Sequence, residues 1–138
     1  MQTTIIIPCY NEEKRLPLNA FLFFVKENKN VQFLFVNDGS KDNTLDLLKN
    51  ISSQNECFLM LDLHKNVGKA EAVRQGILYA EEHFNSNYIG FWDADLATPL
   101  NEIERFIHCL KKNDYHNLKK LVVVLAEDLK KILKHYLN

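Results

Sequence analysis

The chain has 138 residues, which is enough for one domain with a buried core. Its composition is 46% hydrophobic and 25% charged, as in ordinary soluble globular proteins, and no apolar run approaches the length that crosses a bilayer. The 17 basic and 18 acidic residues give a net charge of −1, which argues against nucleic-acid binding through a basic face.

The cysteines and the N-terminus favour a cytoplasmic protein. Cys9, Cys57 and Cys109 lie far apart and form no Cys-x-x-Cys pair, so free, buried thiols are favoured over disulfides or zinc ligands. The chain passes from Met1 directly into a strand-like run, without the basic start and apolar core of a signal peptide. We therefore expect a cytoplasmic chain, soluble or peripheral at the cytoplasmic membrane face.

The first strand and helix are predicted at the N-terminus. Thr4–Ile7 is a β-branched run, and Pro8 is expected to end it because proline cannot donate to a sheet ladder. Pro17 fits the first turn of the following helix. The helix is expected to bury a stripe formed by Leu18, Phe21, Leu22 and Val25. The cluster of Phe21, Phe23 and Phe24 is expected to pack within the protein.

Val31–Val36 is the second predicted strand, and a turn through Asp38 follows it. Asp42 or Asn43 then caps a second helix. The apolar stripe of that helix is Leu45, Leu48 and Ile51.

Two further strands and helices are predicted before residue 113. Cys57–Leu63 is the third strand, and the loop after it opens a helix that ends near His83. Tyr88–Trp92 is the fourth strand. Pro99 and Asn101 start a fourth helix, whose apolar face is Ile103, Phe106, Ile107 and Leu110. Leu121–Leu125 is the fifth strand, followed by an amphipathic helix with Leu129, Ile132, Leu133 and Tyr136.

Strands that alternate with helices predict an α/β fold with a doubly wound, mostly parallel sheet. Ligands bind such sheets in the crevice beyond the carboxyl ends of the strands. The loops after the first four predicted strands carry polar residues: Asn11 and Glu12, Asp38, Asn66–Lys69, and the pair Asp93 and Asp95. We expect all four loops to meet at one edge of the sheet.

The pair Asp93 and Asp95 follows the fourth strand with one residue between the two acids. Because side chains alternate along a strand, both carboxylates should lie on one side and Ala94 on the other. Two such carboxylates repel each other unless a cation or hydrogen-bond donors lie between them. The pair alone fits either a solvated turn or a divalent metal site for a phosphate-bearing substrate.

Four motifs in series resemble family 2 glycosyltransferases of the GT-A fold. They are Pro8–Glu13, Val36–Thr44, Asn66–Lys69 and Asp93–Leu96. Asp93–Pro99 is most similar to the branch of polyprenyl-phosphate (dolichyl-phosphate-type) glycosyltransferases. The resemblance covers residues 3–112 of a single domain, 1–138, and leaves 113–138 unmatched. It implies a Rossmann-like GT-A sheet flanked by helices, lacking much of the C-terminal acceptor half.

The resemblance also implies a ligand and the residues that hold it. The donor is a nucleotide-diphosphate sugar, with a UDP-sugar favoured, and the cofactor is Mg²⁺ or Mn²⁺. Pro8, Tyr10 and Glu12 would form the nucleoside pocket, Asp38 would accept a hydrogen bond from the base, and Lys69 would meet the base or a phosphate. Asp95 would ligate the metal, and Asp93 would contact the ribose or help to hold the metal. Ala94 would also belong to the nucleotide-sugar site. Asn66 and Gly68 are expected to shape their loop.

The acceptor implied by the resemblance is a polyprenyl phosphate or a glycan. No catalytic residue is assigned, because the family's general base belongs to the absent C-terminal half. Glu127 and Asp128 are not that base, since they come too soon after Asp95 and open a predicted helix, where acids favour the dipole.

Two hypotheses stay open. The chain is a glycosyltransferase, or its donor half, acting by inverting displacement; alternatively, it is a truncated, inactive module that binds a nucleotide sugar or self-associates. A sugar nucleotidyltransferase is disfavoured because no glycine-rich loop follows the first strand. The apolar fifth strand predicts self-association through an unpaired edge. The short lysine runs near residues 111 and 119 allow weak contact with a membrane surface.

Overall fold

The computed structural model describes residues 2–112 and 121–123, and within them strands and helices alternate as predicted. The elements are β1 (Thr3–Cys9), α1 (Leu18–Glu27), β2 (Val31–Asn37), α2 (Thr44–Gln54), β3 (Phe58–Asp62), α3 (Lys69–His83), β4 (Tyr88–Phe91), α4 (Asn101–Lys112) and β5 (Leu121–Val123). The rest of the predicted fifth strand and the helix after it lie outside the described residues. No described helix combines the length and the apolar content needed to span a membrane.

The strands form one parallel sheet with the order β3-β2-β1-β4-β5. The chain moves outward from β1 through β2 to β3, and it then returns to place β4 on the other side of β1. This reversal puts a topological switch point between β1 and β4. In open parallel sheets the ligand crevice opens at such a point, beyond the carboxyl ends of the strands.

Helices cover both faces of the sheet. The alternating residues of β1 divide between two cores, with Ile5 and Ile7 packing toward α1, α2 and α4, and Ile6 packing toward α3. On the first face, Phe21 of α1 lies edge-on to Phe33 and Phe35 of β2, with ring centroids 5.1 and 5.3 Å away. These contacts fix the ends of the strands relative to the loops that follow them.

Pro8 does not end β1, because the strand continues to Cys9 and Pro8 pairs with Val36 of β2. In a parallel strand, alternate residues bond to alternate neighbours. The Ile6 carbonyl accepts from the Trp92 N–H at 2.9 Å, so Pro8, two residues on, also turns its backbone toward β4. Pairing with β4 has ended at Ile6 and Phe91, and the missing N–H of Pro8 therefore breaks no ladder bond.

The inner face of α1 also differs from the prediction. Phe21, Phe24 and Val25 are buried, whereas Leu22 is 40% exposed and Phe23 is 72% exposed. Leu22 was therefore wrongly placed in the buried stripe, and Phe23 does not pack in the core. Pro17 precedes the first helical residue rather than lying in the first turn.

The start of α2 depends on Asp42. Its carboxylate Oδ1 accepts from the backbone N–H of Thr44 at 3.0 Å and from the Thr44 hydroxyl at 2.5 Å. Burial is the largest single effect on the pKa of Asp42 and raises it, but the hydrogen bonds that the carboxylate accepts together outweigh burial and lower the pKa. Asn43 occupies the capping position but makes no side-chain capping bond. Of the two predicted caps, Asp42 is the residue whose side chain bonds the start of the helix.

Candidate functional site

A cleft of about 560 Å³ opens at the carboxyl edge of the sheet, where the loops after β1, β2, β3 and β4 meet. Its walls include all eight residues that the sequence analysis assigned to the site: Pro8, Tyr10, Glu12, Asp38, Lys69, Asp93, Ala94 and Asp95. Cys9, Arg15, Asn66 and Gly68 also line it. The expected meeting of four loops at one edge is therefore confirmed in the structure.

The loop after β1 is fixed to the loop after β2. The backbone N–H of Asn11 donates to the Ser40 hydroxyl at 3.0 Å, and the Asn11 side-chain oxygen accepts from the Lys41 N–H at 2.8 Å. The Glu12 N–H donates to the Thr44 hydroxyl at 2.8 Å. These bonds hold Tyr10, which is 40% exposed, at the wall of the cleft.

Glu12 places a largely buried carboxylate in the cleft. Its side chain is 14% exposed, and its Oε1 accepts from Arg15 Nη2 at 3.2 Å. Its Oε2 is buried and has no hydrogen-bond partner. Burial raises the pKa of Glu12, the Arg15 charge opposes this rise, and the charges of Asp95 and Asp42 add to it. The unpaired oxygen is an acceptor that a donor group on a ligand would satisfy.

Asp38 fastens the β3–α3 loop to the end of β2. The residue is only 3% exposed. Its carboxylate accepts from the backbone N–H groups of Val67 at 2.7 Å and Gly68 at 3.1 Å, and its backbone carbonyl accepts from Asn66 Nδ2 at 3.0 Å. Asn66 and Gly68 thus shape this loop, as expected. The structure gives Asp38 a scaffolding role, and its contact with a base stays a prediction.

The acidic pair follows β4, which ends at Phe91, one residue earlier than predicted. Trp92 and Ala94 are buried in the core on the α1 side, and Ala94 also borders the cleft, which Asp93 and Asp95 line. The strand's alternation thus extends through the pair. Lys69 forms an ion pair with Asp93 and lies 5.7 Å from the centre of the Phe91 ring, and Asp95 Oδ1 accepts from the Ala97 N–H at 3.0 Å.

The carboxylates of the cleft fit a hard divalent cation that takes its other ligands from phosphate and water. No group of three or more His, Cys, Asp or Glu side chains suited to a metal ion occurs within residues 2–112 and 121–123. Asp93 and Asp95 supply two carboxylates at the wall of the cleft. Mg²⁺ is commonly held by one or two carboxylates together with substrate phosphates.

Two residues of the cleft were missed by the sequence analysis. Arg15 lines the wall. The sequence could have indicated it, because Arg15 follows Glu12 by three residues and its N–H closes a turn on the Glu12 carbonyl. Cys9 lies against the cleft but is fully buried at the end of β1. Burial raises the pKa of its thiol, which stays protonated and packs as an apolar group.

Comparison with known sequences decides the family. The model described as "Glycosyl transferase family 2" matches residues 4–132. The chain belongs to this family. The match extends beyond Lys112, where the recognisable sequence motifs end.

The chain is also similar to individual glycosyltransferase sequences. A dolichyl-phosphate beta-glucosyltransferase (ALG5C) of Trichomonas vaginalis is 33% identical over 129 residues, which are 88% of this chain and 37% of that protein. The chain spans about a third of the length of the relatives it matches.

Solved structures confirm the GT-A fold. TarS 1-349 of S. aureus, in complex with UDP-GlcNAc, superimposes with a TM-score of 0.65 at 21% identity, covering 83% of this chain and 32% of that one. The mannosyltransferase PcManGT of Pyrobaculum calidifontis, in complex with GDP-Man and Mn²⁺, gives a TM-score of 0.54 at 19% identity, covering 68% and 27%.

Proposed function

We propose that this chain forms the donor site of a glycosyltransferase that transfers a sugar from a UDP-sugar to an acceptor by metal-assisted inverting displacement. The observation that carries the proposal is the meeting of four strand-end loops in one cleft at the β1–β4 switch point. A family relative that uses dolichyl phosphate and a structural neighbour that holds UDP-GlcNAc support the choice of donor and acceptor.

Different residues of the cleft bind different parts of the donor. Pro8 and Tyr10 offer flat and apolar surface for the nucleoside, and the unpaired Oε2 of Glu12 accepts from one of its polar groups. Asp38 accepts from the base, for which the N3–H of uracil is suited, while it holds the β3–α3 loop. Lys69 stands at the N-terminus of α3, where the helix dipole favours a phosphate. Asp93 and Ala94 flank the ribose.

A divalent cation fits beside this ligand. Asp95, with Asp93, would hold Mg²⁺ or Mn²⁺, and a structural neighbour binds Mn²⁺ with its donor. When bound, the cation neutralises charge on the departing nucleoside diphosphate.

The reaction is a single displacement at the anomeric carbon of the sugar. An acceptor oxygen forms the new bond as the bond to the diphosphate oxygen breaks, and the electron pair of that bond leaves with UDP. A polyprenyl phosphate is the proposed acceptor, with a glycan as the other candidate. A phosphate oxygen is already ionised near neutral pH, so this acceptor depends little on a general base.

We further propose a cytoplasmic location with peripheral contact at the membrane face. Free thiols at Cys9 and Cys57, which are buried as expected, support a reducing compartment. Cys109 was also expected to be buried, but it is exposed. Contact with a membrane surface would bring the site close to a lipid-linked acceptor.

Calorimetry with UDP and Mn²⁺ tests the donor site. We expect wild-type binding and its loss in Asp95→Ala, because the cation that screens the diphosphate loses a carboxylate. Asp46→Ala, which removes an exposed carboxylate from α2, is the control and should bind as the wild type does. Undiminished UDP binding by Asp95→Ala in the presence of Mn²⁺ would refute the metal assignment.

A second candidate function is donor binding without transfer. The same cleft serves both candidates, so turnover separates them. Release of UDP from a UDP-sugar in the presence of a polyprenyl phosphate supports the transferase. Tight UDP binding with no release supports the binding module.

A further inference from the structure

The cleft is lined by more carboxylates than cations. Four carboxylates line it, on Glu12, Asp38, Asp93 and Asp95, and in the described part of the chain two cations face them, Lys69 and Arg15. A ligand that carries phosphate adds more negative charge. Its phosphates therefore need cationic donors that are not already committed to the protein.

Lys69 is already committed. Its ammonium pairs with Asp93 and lies above the ring of Phe91. Drawing Lys69 fully onto a phosphate would leave Asp93 without its counterion. Lys69 can serve a ligand, but at the expense of an existing contact.

Arg15 is held much more loosely. Its guanidinium contacts the described residues through Nη2 alone, at 3.2 Å from Glu12 Oε1 and 3.4 Å from the Asn11 carbonyl. Its side chain is 68% exposed, and exposed ion pairs contribute little to stability. The Nε and Nη1 groups are further donors of the planar guanidinium fork, and none of the described residues accepts from them.

The backbone beneath Arg15 is fixed although its side chain is not. The N–H groups of Arg15 and Leu16 both donate to the Glu12 carbonyl, at 3.1 and 2.9 Å. Glu12 is in turn tied to Thr44 at 2.8 Å. Arg15 therefore stands at a set point on the wall of the cleft, with guanidinium donors left for a ligand.

We propose that Arg15 is a phosphate-binding residue of this site. Its guanidinium donates to a phosphate through Nη1 or Nε, while Nη2 keeps its contact with Glu12. The inference rests on the proposed function, which supplies the phosphate-bearing ligand. Two sources share this chemistry: the diphosphate of the donor and the phosphate of a lipid-linked acceptor.

Paired probes separate these sources from each other and from a structural effect. UDP is compared with uridine, and geranyl phosphate with geraniol, on the wild type and on Arg15→Gln. We expect Arg15→Gln to weaken binding of one phosphate probe by about tenfold and to leave its phosphate-free partner unchanged. Loss for UDP identifies the donor diphosphate, and loss for geranyl phosphate identifies the acceptor. Arg15→Lys should recover part of the loss, because it keeps the charge without the fork.

Arg105 on α4 offers a matched control. It makes the same kind of pair with a glutamate three residues earlier, Glu102, at 2.9 Å, and is 76% exposed, but it does not line the cleft. Arg105→Gln should bind every probe as the wild type does. Equal binding of both phosphates by the wild type and Arg15→Gln, or equal losses with and without phosphate, overturns the inference. A wild-type chain that binds no probe refutes the proposed function, and the inference with it.

Discussion

Glu12 keeps a carboxylate where the folded protein disfavours its charge, because burial and the charge of Asp95 raise its pKa above the ordinary value of 4.5. Below that value the acid is protonated in both states and contributes nothing to the pH dependence. As pH rises through the higher folded pKa, the unfolded state releases its proton more readily, and the free energy of unfolding falls. The folded protein is therefore less stable near neutral pH because it keeps this buried carboxylate in the cleft.

Glu12→Gln should therefore raise the free energy of unfolding near neutral pH. The gain should shrink as the pH falls toward 4.5, where the wild-type carboxyl is also neutral. Urea denaturation at a series of pH values measures the effect. Glu104→Gln, at an exposed position on α4, reports the general effect of removing one carboxylate. A gain that is the same at every pH would contradict the prediction.

The residue types in the motifs predicted which side chains reach the site better than they predicted the hydrogen bonds of those side chains. The motifs placed Glu12, Asp38, Asp93 and Asp95 at strand ends, and the parallel sheet brings all four into the cleft. They did not reveal that the Asp38 carboxylate bonds the backbone of Val67 and Gly68 some thirty positions on. Those bonds depend on how two loops approach each other, which no local pattern records.

The β2–α2 turn packs closely against the β3–α3 loop at Gly39. Gly39 has φ +62°, and a Cβ there would lie 2.2 Å from the Asn66 backbone nitrogen. Gly68 has φ +92°, but a Cβ there would meet nothing within 4 Å. Both positions favour glycine because of backbone conformation, and only Gly39 also needs the space.

Gly39→Ala should accordingly destabilise the protein more than Gly68→Ala. A positive φ strains an alanine by roughly 1–3 kcal/mol, and both variants carry this cost. Overpacking adds about 1–3 kcal/mol at Gly39 alone. The two free energies of unfolding, measured in urea, give the difference directly. Equal losses would show that the two loops can separate without cost.

The elements that the sequence misplaced share one cause, which is that their environment is set by a neighbour. Pro8 is tolerated within β1 because the pairing with β4 has stopped by that point. The run from Ala20 to Val25 is apolar throughout, so its periodicity does not select an inner face. Contact with β2 selects Phe21 and Phe24, and Phe23 is left exposed.

For the whole molecule, alternating strands and helices were enough to predict a parallel sheet, but not the order of its strands. Loops from four strands could meet at one edge in several orders. The order β3-β2-β1-β4 puts the switch point beside Glu12 and the acidic pair. The order of the strands depends on which edge of β1 pairs with β4. Helix α3, which connects β3 to β4, packs on the opposite face of the sheet from α1.

The sheet of the described residues has β3 and β5 as its outermost strands, and outermost strands present unpaired backbone groups that another chain can bind. We expect two copies of the chain to associate through β5, which belongs to the apolar run Leu121–Leu125. Val122→Lys should weaken this association, since a lysine on an edge strand opposes pairing. Glu56→Lys, at an exposed position just before β3 at the other edge, is the control for the added charge, and it should leave the association unchanged. Light scattering across a dilution series measures both, and a wild-type chain that stays monomeric at every concentration would refute the prediction.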